Sequence, residues 1–398
     1  MNGLGVLGQW GVGVLSLLGL FLSLWTVLSA PTLSLLLLGV AVPEMSPWLV
    51  VMNAIALAFL VGLRRGGRAV TPLLICSLLA LVLSLLPLLQ VRATQKQFST
   101  AMDAQLGTDY LQDVPAQIRD AMRPRPLVLW DVFRQIPLKP VRIERGIVFA
   151  RPDGVPLTLN TYHPQAKGRY PGVIIIYGGA WQGGSPNNDE NFSRYLAHQG
   201  YAVISIDYRH APEYQFPVQL EDVRTAISYI RDRAETLEVD RDRLAIMGRS
   251  AGAHLAMLAA YTSDTIPWRA VVNYYGPVDL KKGYTDLPFP DPLDIQAVLR
   301  DFLGGTPAEV PQQYEIASPR HYIRPNLPPS LLVYARRDRL VKAQFGRDLY
   351  EDLQRHNNQA ILLEIPWSEH VFDAAFSGLG NQLALYYTER FLAWALSG

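Results

Sequence analysis

The sequence is poor in charged residues and in cysteine. Charged residues make up 18% of its 398 residues and the net charge is +1, so its composition gives no reason to expect a nucleic-acid partner. The single cysteine, Cys76, excludes an intrachain disulfide. No H-E-x-x-H pattern occurs, which disfavours a metallohydrolase, and we predict no metal site.

Charge is absent above all from the N-terminus, where residues 2–43 contain no Asp, Glu, Lys, Arg or His. Three apolar stretches, residues 10–28, 48–63 and 70–91, predict membrane-spanning helices, although the second is short for about 30 Å of hydrocarbon. The apolar residues 33–42 between the first two are too few to cross, and predict a re-entrant, interfacial or broken helix. A cleaved signal peptide would have an early basic residue, but none precedes Arg64. We therefore predict a retained, multi-pass membrane region.

The orientation of this region rests on a few basic residues. Arg64, Arg65 and Arg68 form the only basic loop between predicted spans, and the positive-inside rule places that loop in the cytoplasm. With three spans, the remainder of the chain then lies on the non-cytoplasmic side. Arg92 and Lys96, just after the third span, argue for the opposite orientation.

A glycine pattern at the start of the chain, Gly3, Gly5 and Gly8, matches the dinucleotide-binding spacing G-x-G-x-x-G. No strand precedes it and it opens an apolar run, so we do not predict a dinucleotide site there.

The rest of the chain alternates predicted strands and helices. Residues 141–150 and 156–162 read as a hairpin, and residues 172–177 form a continuous apolar run that is typical of a strand buried on both faces. Further strands are predicted at 201–207, 244–247, 270–274, 330–334 and 360–365. Further helices are predicted at 191–199, 218–237, 251–261, 344–356 and 382–396. This alternation predicts a mostly parallel sheet with helices on both faces.

We therefore predict three regions: a transmembrane region of about three helices over residues 1–97, a linker or cap over 98–140, and an α/β domain over 141–398. The Pro- and aromatic-rich residues 276–329 are long for a connection and predict a lid or acyl pocket, a role that 99–140 could share.

The strongest chemical signal is Gly248-Arg249-Ser250-Ala251-Gly252, a G-x-S-x-G pattern between a predicted strand and a predicted helix. In a nucleophile elbow the serine sits on a strained turn that lifts its hydroxyl above the sheet. The alternative is a tight turn with an inert serine. We predict Ser250 as a nucleophile.

A serine nucleophile needs a base and an acid, which follow it in chain order in this kind of fold. His370, His321 and His356 are the candidate bases. We predict His370, because it lies in a loop after a predicted strand, whereas His321 precedes the strand expected to carry the acid and His356 lies late in an amphipathic helix. Asp338 follows the strand 330–334 and is the favoured acid. Asp279 is the second candidate.

Residues 177–181, Tyr-Gly-Gly-Ala-Trp, follow the central predicted strand. Their small side chains would let the main chain approach a substrate, and an oxyanion needs preorganised N–H donors. Gly179 and Ala180 are the predicted donors, with Ala251 as a third. We place Gly178 and Trp181 in the same oxyanion and substrate-binding segment.

These motifs resemble the hormone-sensitive-lipase-like esterases and the related prenylcysteine methylesterase-like and feruloyl-esterase-like hydrolases. The resemblance covers about residues 141–398 and rests on five blocks in the same order: 177–181, 207–217, 248–254, 338–341 and 370–372. It implies an eight-stranded α/β-hydrolase fold, a Ser250–His370–Asp338 triad and hydrolysis of a carboxylic ester without a cofactor. With the apolar N-terminus, it implies a lipophilic ester as the substrate.

The sequence departs from the family at Tyr177, where the family usually has His, and at Ala335, where a glycine is usual. Because the side chain at this position supports the loop rather than reacting, Tyr177 bears on the rate or the geometry of the oxyanion segment rather than on the mechanism. Two other classes stay open: an acyltransferase with the same triad, and an inert membrane-anchored binding protein.

Overall fold

The computed structural model describes residues 3–65 and 70–397. Of the basic loop, Arg68 lies outside the described residues, as do the side chains of Arg64 and Arg65.

Four helices open the described chain: α1 (Gly3–Leu24), α2 (Leu33–Glu44), α3 (Ser46–Arg65) and α4 (Thr71–Leu106). Two segments, Ser46–Leu63 within α3 and Thr71–Leu106, are long and apolar enough to cross a membrane. Leu33–Glu44 and Gly11–Leu24, the part of α1 whose side chains the structure describes, are shorter apolar segments. Only 33% and 22% of the apolar windows in Ser46–Leu63 and Thr71–Leu106 are buried. Their exposed apolar faces distinguish them from buried core helices.

Polar side chains join the helices α1, α3 and α4 internally. The Asn53 amide donates to the Ser23 hydroxyl at 3.0 Å and to Ser84 at 3.4 Å, and all three residues are fully buried. Hydrogen bonds of this kind hold helices together where apolar burial gives little driving force.

Helix α4 continues beyond the apolar segment, through the predicted boundary between residues 97 and 98. Its 36 residues extend for about 54 Å at 1.5 Å per residue. Beyond Val91 it buries Phe98 and Met102 in the core of the α/β domain, and Ser99 lies 2.9 Å from the Tyr387 hydroxyl. One helix therefore belongs to both regions.

The segment after α4 contains the short helices α5 (Ala116–Ala121) and α6 (Asp131–Arg134). Arg123 donates to Gln382 at 2.8 Å, and its amide donates to Glu389 at 2.9 Å. The segment thus packs against the C-terminal helix, and of the described residues that line the cavity beside Ser250 none comes from it. The cavity lining therefore gives no support to a share of 99–140 in an acyl pocket, and its share in a lid stays a prediction.

The predicted α/β-hydrolase fold is confirmed. Within the described residues, one eight-stranded sheet has the order β1-β2-β4-β3-β5-β6-β7-β8, antiparallel at β1–β2–β4 and parallel thereafter. Its strands are β1 (Arg142–Ala150), β2 (Leu157–His163), β3 (Tyr170–Ile176), β4 (Ala202–Ile206), β5 (Val239–Arg249), β6 (Trp268–Tyr274), β7 (Ser330–Ala335) and β8 (Ala360–Ile365).

Helices cover both faces of this sheet, as a parallel sheet requires. They include α7 (Glu190–His198), α8 (Val218–Asp232), α9 (Ala251–Tyr261), α13 (Ala343–Arg355) and α14 (Leu379–Ser397). The segment between β6 and β7 contains α10 (Leu280–Thr285), α11 (Ile295–Leu303) and α12 (Pro311–Ile316), of which α11 and α12 pack against α10. The central strands β3 and β4 are buried almost throughout. The carboxyl ends of the parallel strands meet at one edge, where such folds place their sites.

Candidate active site

Ser250 lies on a sharp turn between β5 and α9. Its backbone has φ 51° and ψ −122°, a conformation that non-glycine residues rarely adopt. The Ser250 amide donates to the Tyr274 carbonyl at 2.9 Å, which fixes the turn to the neighbouring strand. Gly252 is required because a Cβ there would lie 2.1 Å from the Ile176 carbonyl oxygen. The turn has the form of a nucleophile elbow.

The structure brings Ser250, His370 and Asp338 together. His370 Nε2 lies 3.0 Å from Ser250 Oγ, and His370 Nδ1 lies 2.7 Å from Asp338 Oδ2. The other oxygen of Asp338 accepts the amides of Leu340 at 2.8 Å and Val341 at 2.7 Å. The side chains of His370 and Asp338 are 2% and 0% exposed, so their contact is shielded from water.

The other candidate acid and bases lie elsewhere. Asp279 caps α10 by accepting the Lys282 amide at 2.9 Å. His321 lies 3.4 Å from Glu315 on the surface, and His356 ends α13, bonded to the Asp352 carbonyl at 2.8 Å. Asp338 is therefore the candidate acid that contacts a candidate base.

Glu369 holds the acid and base loops together rather than orienting the imidazole. Its Oε1 accepts the Arg339 amide at 2.5 Å and the His370 amide at 3.1 Å. Burial and the neighbouring Asp338 carboxylate raise the pKa of Glu369.

The predicted oxyanion segment forms a tight left-handed turn. Gly179 has φ 142°, and Ala180 and Trp181 have φ values of 54° and 59°. The turn closes through the Gln182 and Gly183 amides, both of which donate to the Gly179 carbonyl. Within the described parts of the chain, the Gly179 and Ala180 amides have no acceptor. Such free N–H groups are what a developing oxyanion needs.

The remaining predicted binding residues border the same space. Gly178 packs against the elbow, because a Cβ there would lie 2.8 Å from the Arg249 carbonyl oxygen. Ala251 opens α9, where the first amides of a helix lack intrahelical acceptors. Trp181 is 4% exposed and stacks on Phe302 with ring centroids 4.2 Å apart.

Tyr177 anchors this segment to the loop after β4. Its hydroxyl donates to Asp207 at 2.6 Å and lies 2.9 Å from His210 Nε2. Its ring fills the space beside Gly184, where a Cβ would lie 2.3 Å from the ring. Burial raises the pKa of Tyr177, so its hydroxyl keeps its proton. Tyr177 thus supports the predicted oxyanion segment through these contacts.

Comparison with known proteins finds similarity to ester hydrolases. A family model described as BD-FAE matches residues 159–353. The protein named probable carboxylic ester hydrolase LipM, from Mycobacterium tuberculosis, is 27% identical over 76% of this chain and 73% of its own length. Esterase LipC from the same organism is 33% identical over 51% of this chain, which spans about half of LipC (53%).

Two solved structures share the fold. Esterase LipW from Mycobacterium marinum superposes with a TM-score of 0.56 at 20% identity, over 77% of this chain and 94% of its own. A hyperthermophilic esterase from the archaeon Pyrobaculum calidifontis also gives a TM-score of 0.56, at 22% identity, over 76% of this chain and 93% of its own.

The chain is a carboxylic ester hydrolase.

The esterase has a cavity of about 580 Å³ beside Ser250 and His370. Much of its wall is apolar and comes from the segment between β6 and β7, within residues 276–329, with Leu280, Leu293, Ile295, Val298 and Leu299. The role of that segment as a lid or acyl pocket stays a prediction. Leu33, the first residue of α2, also lines it. The apolar N-terminal region therefore contributes to the cavity, which the sequence did not indicate.

A buried charge cluster next to the esterase's site was missed by the sequence analysis. Arg249 forms ion pairs with Asp373 and, at 3.4 Å, with Asp189, and its guanidinium lies 4.5 Å from the centroid of the Phe192 ring. Tyr275 donates to Asp373, and its ring centroid is 4.6 Å from that of His370. A charged residue immediately before Ser250, after an apolar strand, was the available signal.

Arg209, another polar residue of the esterase's motifs, has structural contacts. Arg209 binds Asp222 at 2.8 Å and Asp153 at 2.5 Å, whereas Glu213 of the same motif lies on the surface. Among residues 3–65 and 70–397, no cluster of three or more His, Cys, Asp or Glu side chains is placed to hold a metal ion.

Proposed function

We propose that Ser250, His370 and Asp338 form a catalytic triad that hydrolyses an ester through an acyl-enzyme. The two contacts of His370, 3.0 Å to Ser250 Oγ and 2.7 Å to Asp338 Oδ2, carry this proposal. Ser250 Oγ bonds to the ester carbonyl carbon as His370 Nε2 takes its proton. Asp338 holds the imidazole in the required tautomer and stabilises its positive charge.

The second half of the reaction returns the enzyme to its starting state. When the bond between carbon and the alcohol oxygen breaks, His370 gives its proton to the leaving alcohol. Water then attacks the acyl-enzyme with His370 as base, and the acid is released from Ser250.

The oxyanion formed in both steps is assigned to the amides of Gly179, Ala180 and Ala251. The free N–H groups of Gly179 and Ala180 support this assignment. Donors fixed before the reaction are each worth roughly 3–4 kcal/mol in the transition state. Presenting these amides requires a positive φ at Ala180, a backbone conformation that costs free energy in a residue other than glycine.

The substrate we infer is a lipophilic ester. The cavity wall is largely aliphatic, so an acyl chain would lose contact with water there, at about 0.8 kcal/mol for each buried CH₂ group. Leu33 is 51% exposed and Val371 is 39% exposed at the cavity. The cavity mouth is thus partly apolar where it adjoins the N-terminal helices.

We further propose that the N-terminal helices hold the enzyme in a membrane. The exposed apolar faces of Ser46–Leu63 and Thr71–Leu106 support this. The arginines of the loop after α3 favour a cytoplasmic loop, which would direct α4 and the α/β domain to the non-cytoplasmic side.

The triad is tested with Ser250→Ala in the full-length protein. We expect the variant to lose turnover of p-nitrophenyl butyrate by at least about 10³-fold and to lose labelling by a fluorophosphonate probe, with an unchanged melting temperature. Ser193→Ala, which removes another buried serine, should keep both. Comparable turnover by wild type and Ser250→Ala would refute the triad.

A further inference from the structure

The carboxylate of Glu44, at the end of α2, lies fully buried against the α/β domain. Its Oε2 accepts the Gly380 amide at 2.5 Å, and its Oε1 accepts the Ser368 hydroxyl. The surrounding glycines leave room for it, because a Cβ at Gly378 or Gly380 would lie 2.7 Å from a carboxylate oxygen of Glu44. A buried carboxylate is costly unless its oxygens are bonded, and here the first turn of α14 supplies free amides.

Glu44 is connected to the base loop by a short series of contacts. Ser368 lies two residues before His370 and is fully buried. Its carbonyl accepts the Arg337 amide at 3.1 Å, and Glu369 then bridges the amides of Arg339 and His370. The loops that carry Asp338 and His370 are therefore held as one unit, and Glu44 contacts that unit directly.

Arg337 makes a second connection to the N-terminal region. Its guanidinium donates to the carbonyls of Thr26 and, at 2.7 Å, Leu28, just after the end of α1. Carbonyls at a helix end lack intrahelical donors, and a cation is favourable there. The residue immediately before Asp338 is thus bonded to the N-terminal helices.

We propose that Glu44 is a positioning residue for the triad. Through Ser368 it fixes the loop that presents His370 to Ser250, so the N-terminal helices complete the catalytic unit in addition to holding it at a membrane. The inference rests on the proposed triad. The physical reason is that a misplacement of about 1 Å at a reacting group can cost about 100-fold in rate. Because Ser368 is only two residues from His370, a shift of Ser368 would also shift the imidazole of His370.

The test compares two substitutions at Glu44 in the full-length protein in detergent. Glu44→Gln keeps the shape and one acceptor for Ser368, whereas Glu44→Leu removes both acceptors. We expect kcat for p-nitrophenyl butyrate to fall about tenfold in Glu44→Gln and about 100-fold in Glu44→Leu, on the positional argument above. KM should stay within twofold, because the acyl cavity is unchanged.

A matched control is available on α14, the helix whose first turn binds Glu44. Glu389, on α14, is also a fully buried carboxylate and accepts from Arg123, Tyr195 and Gln199, away from the His370 loop. Glu389→Gln should lower the melting temperature as much as Glu44→Gln does, with kcat within twofold of wild type. If Glu389→Gln lost as much kcat as Glu44→Gln, the effect at Glu44 would be explained by general destabilisation of the fold, and the proposal would be overturned.

Coupling to Ser368 provides a second measurement, which also serves if Glu44→Leu does not fold. Ser368→Ala should lower kcat like Glu44→Gln, and the double variant should be no slower than the slower single one. Additive losses, or wild-type kcat in Glu44→Gln, would overturn the positioning role. Failure of the triad itself would be distinct, since Ser250→Ala would then keep its turnover whatever happens at Glu44.

Discussion

At the scale of single residues, His254 shows how a buried side chain stabilises the loop that contains Trp181. Trp181 Nε1 donates to His254 Nδ1 at 3.2 Å, so His254 Nε2 carries the proton and donates to the Ala317 carbonyl at 2.6 Å. Neutral imidazole satisfies both contacts, whereas a protonated ring would lose the bond from Trp181. Full burial lowers the pKa of His254 to about 4.

We predict that His254 makes the protein less stable as the pH falls. Because its pKa in the folded state lies below the unfolded value of 6.5, the unfolded chain takes up the proton first. The free energy of unfolding should therefore decrease from pH 6.5 to about pH 4, by at most about 3 kcal/mol from this residue. Above pH 6.5 this loss is absent.

The measurement is the melting temperature of wild type and His254→Gln in detergent between pH 7.5 and pH 4.5. The variant should lose less stability than wild type over this range. Burial raises the pKa of Glu44 to about 7, so its protonation stabilises the folded state as the pH falls, which is opposite to the effect of His254. Because Glu44 is present in both proteins, its effect cancels in the comparison. Parallel curves would contradict the prediction.

At the scale of elements, α10 and α11 form much of the apolar wall. Helix α11 buries Val298, Leu299, Phe302 and Leu303 on one face and exposes Arg300. Of these, Val298 and Leu299 line the cavity. The insertion between β6 and β7 would thus determine how much room the cavity has for the acyl chain of the proposed substrate.

We predict that Val298→Phe shortens the preferred acyl chain. The larger side chain would occupy cavity volume, and each excluded methylene is worth about 1–3 kcal/mol in discrimination. The ratio of kcat/KM for p-nitrophenyl octanoate to that for the butyrate should fall at least about tenfold. Arg300→Phe, on the exposed face of the same helix, is the control and should keep the wild-type ratio. An unchanged ratio in Val298→Phe would show that this cavity does not bind the acyl chain.

At the scale of the whole molecule, the apolar helices and the α/β domain share buried surface. Helix α4 inserts Phe98 into the core, with its ring 5.4 Å from that of Tyr387. Leu340, two residues after Asp338, packs against the cluster of Trp25, Leu36 and Val40. Removing the N-terminal region would therefore expose apolar surface of the domain as well as break the contacts of Glu44.

We predict that residues 98–398 do not form an independent enzyme. Full-length protein should stay in the membrane pellet after an alkaline carbonate wash, and should be active there on p-nitrophenyl butyrate. The fragment should aggregate, or hydrolyse this ester at least about tenfold more slowly, because the His370 loop is unsupported. A soluble fragment with the full-length rate would contradict the structural account of the N-terminal region.

The extent to which the sequence predicted the structure differs between elements. The strands at 330–334 and 360–365 were placed within a residue of β7 and β8, because apolar runs bounded by turn residues are local signals. Helix α4 was predicted to end its apolar segment near Val91, yet it continues to Leu106. Its buried face there, Val91, Thr94, Phe98 and Met102, has helical spacing among polar residues, so an amphipathic signal was present but not used.

The sequence by itself determined the elbow at Ser250, the order of strands and helices along the chain, and the apolar N-terminus, since each depends on residues close in sequence. The esterase class follows from those motifs and from the relatives. The roles of Ser250, His370 and Asp338 stay predictions, to which the tertiary structure adds their contact and the choice of Asp338 over Asp279. Only the tertiary structure decided that Glu44 meets Ser368 and that Leu33 lines the cavity, because these contacts join segments hundreds of residues apart, through close packing that no local pattern encodes.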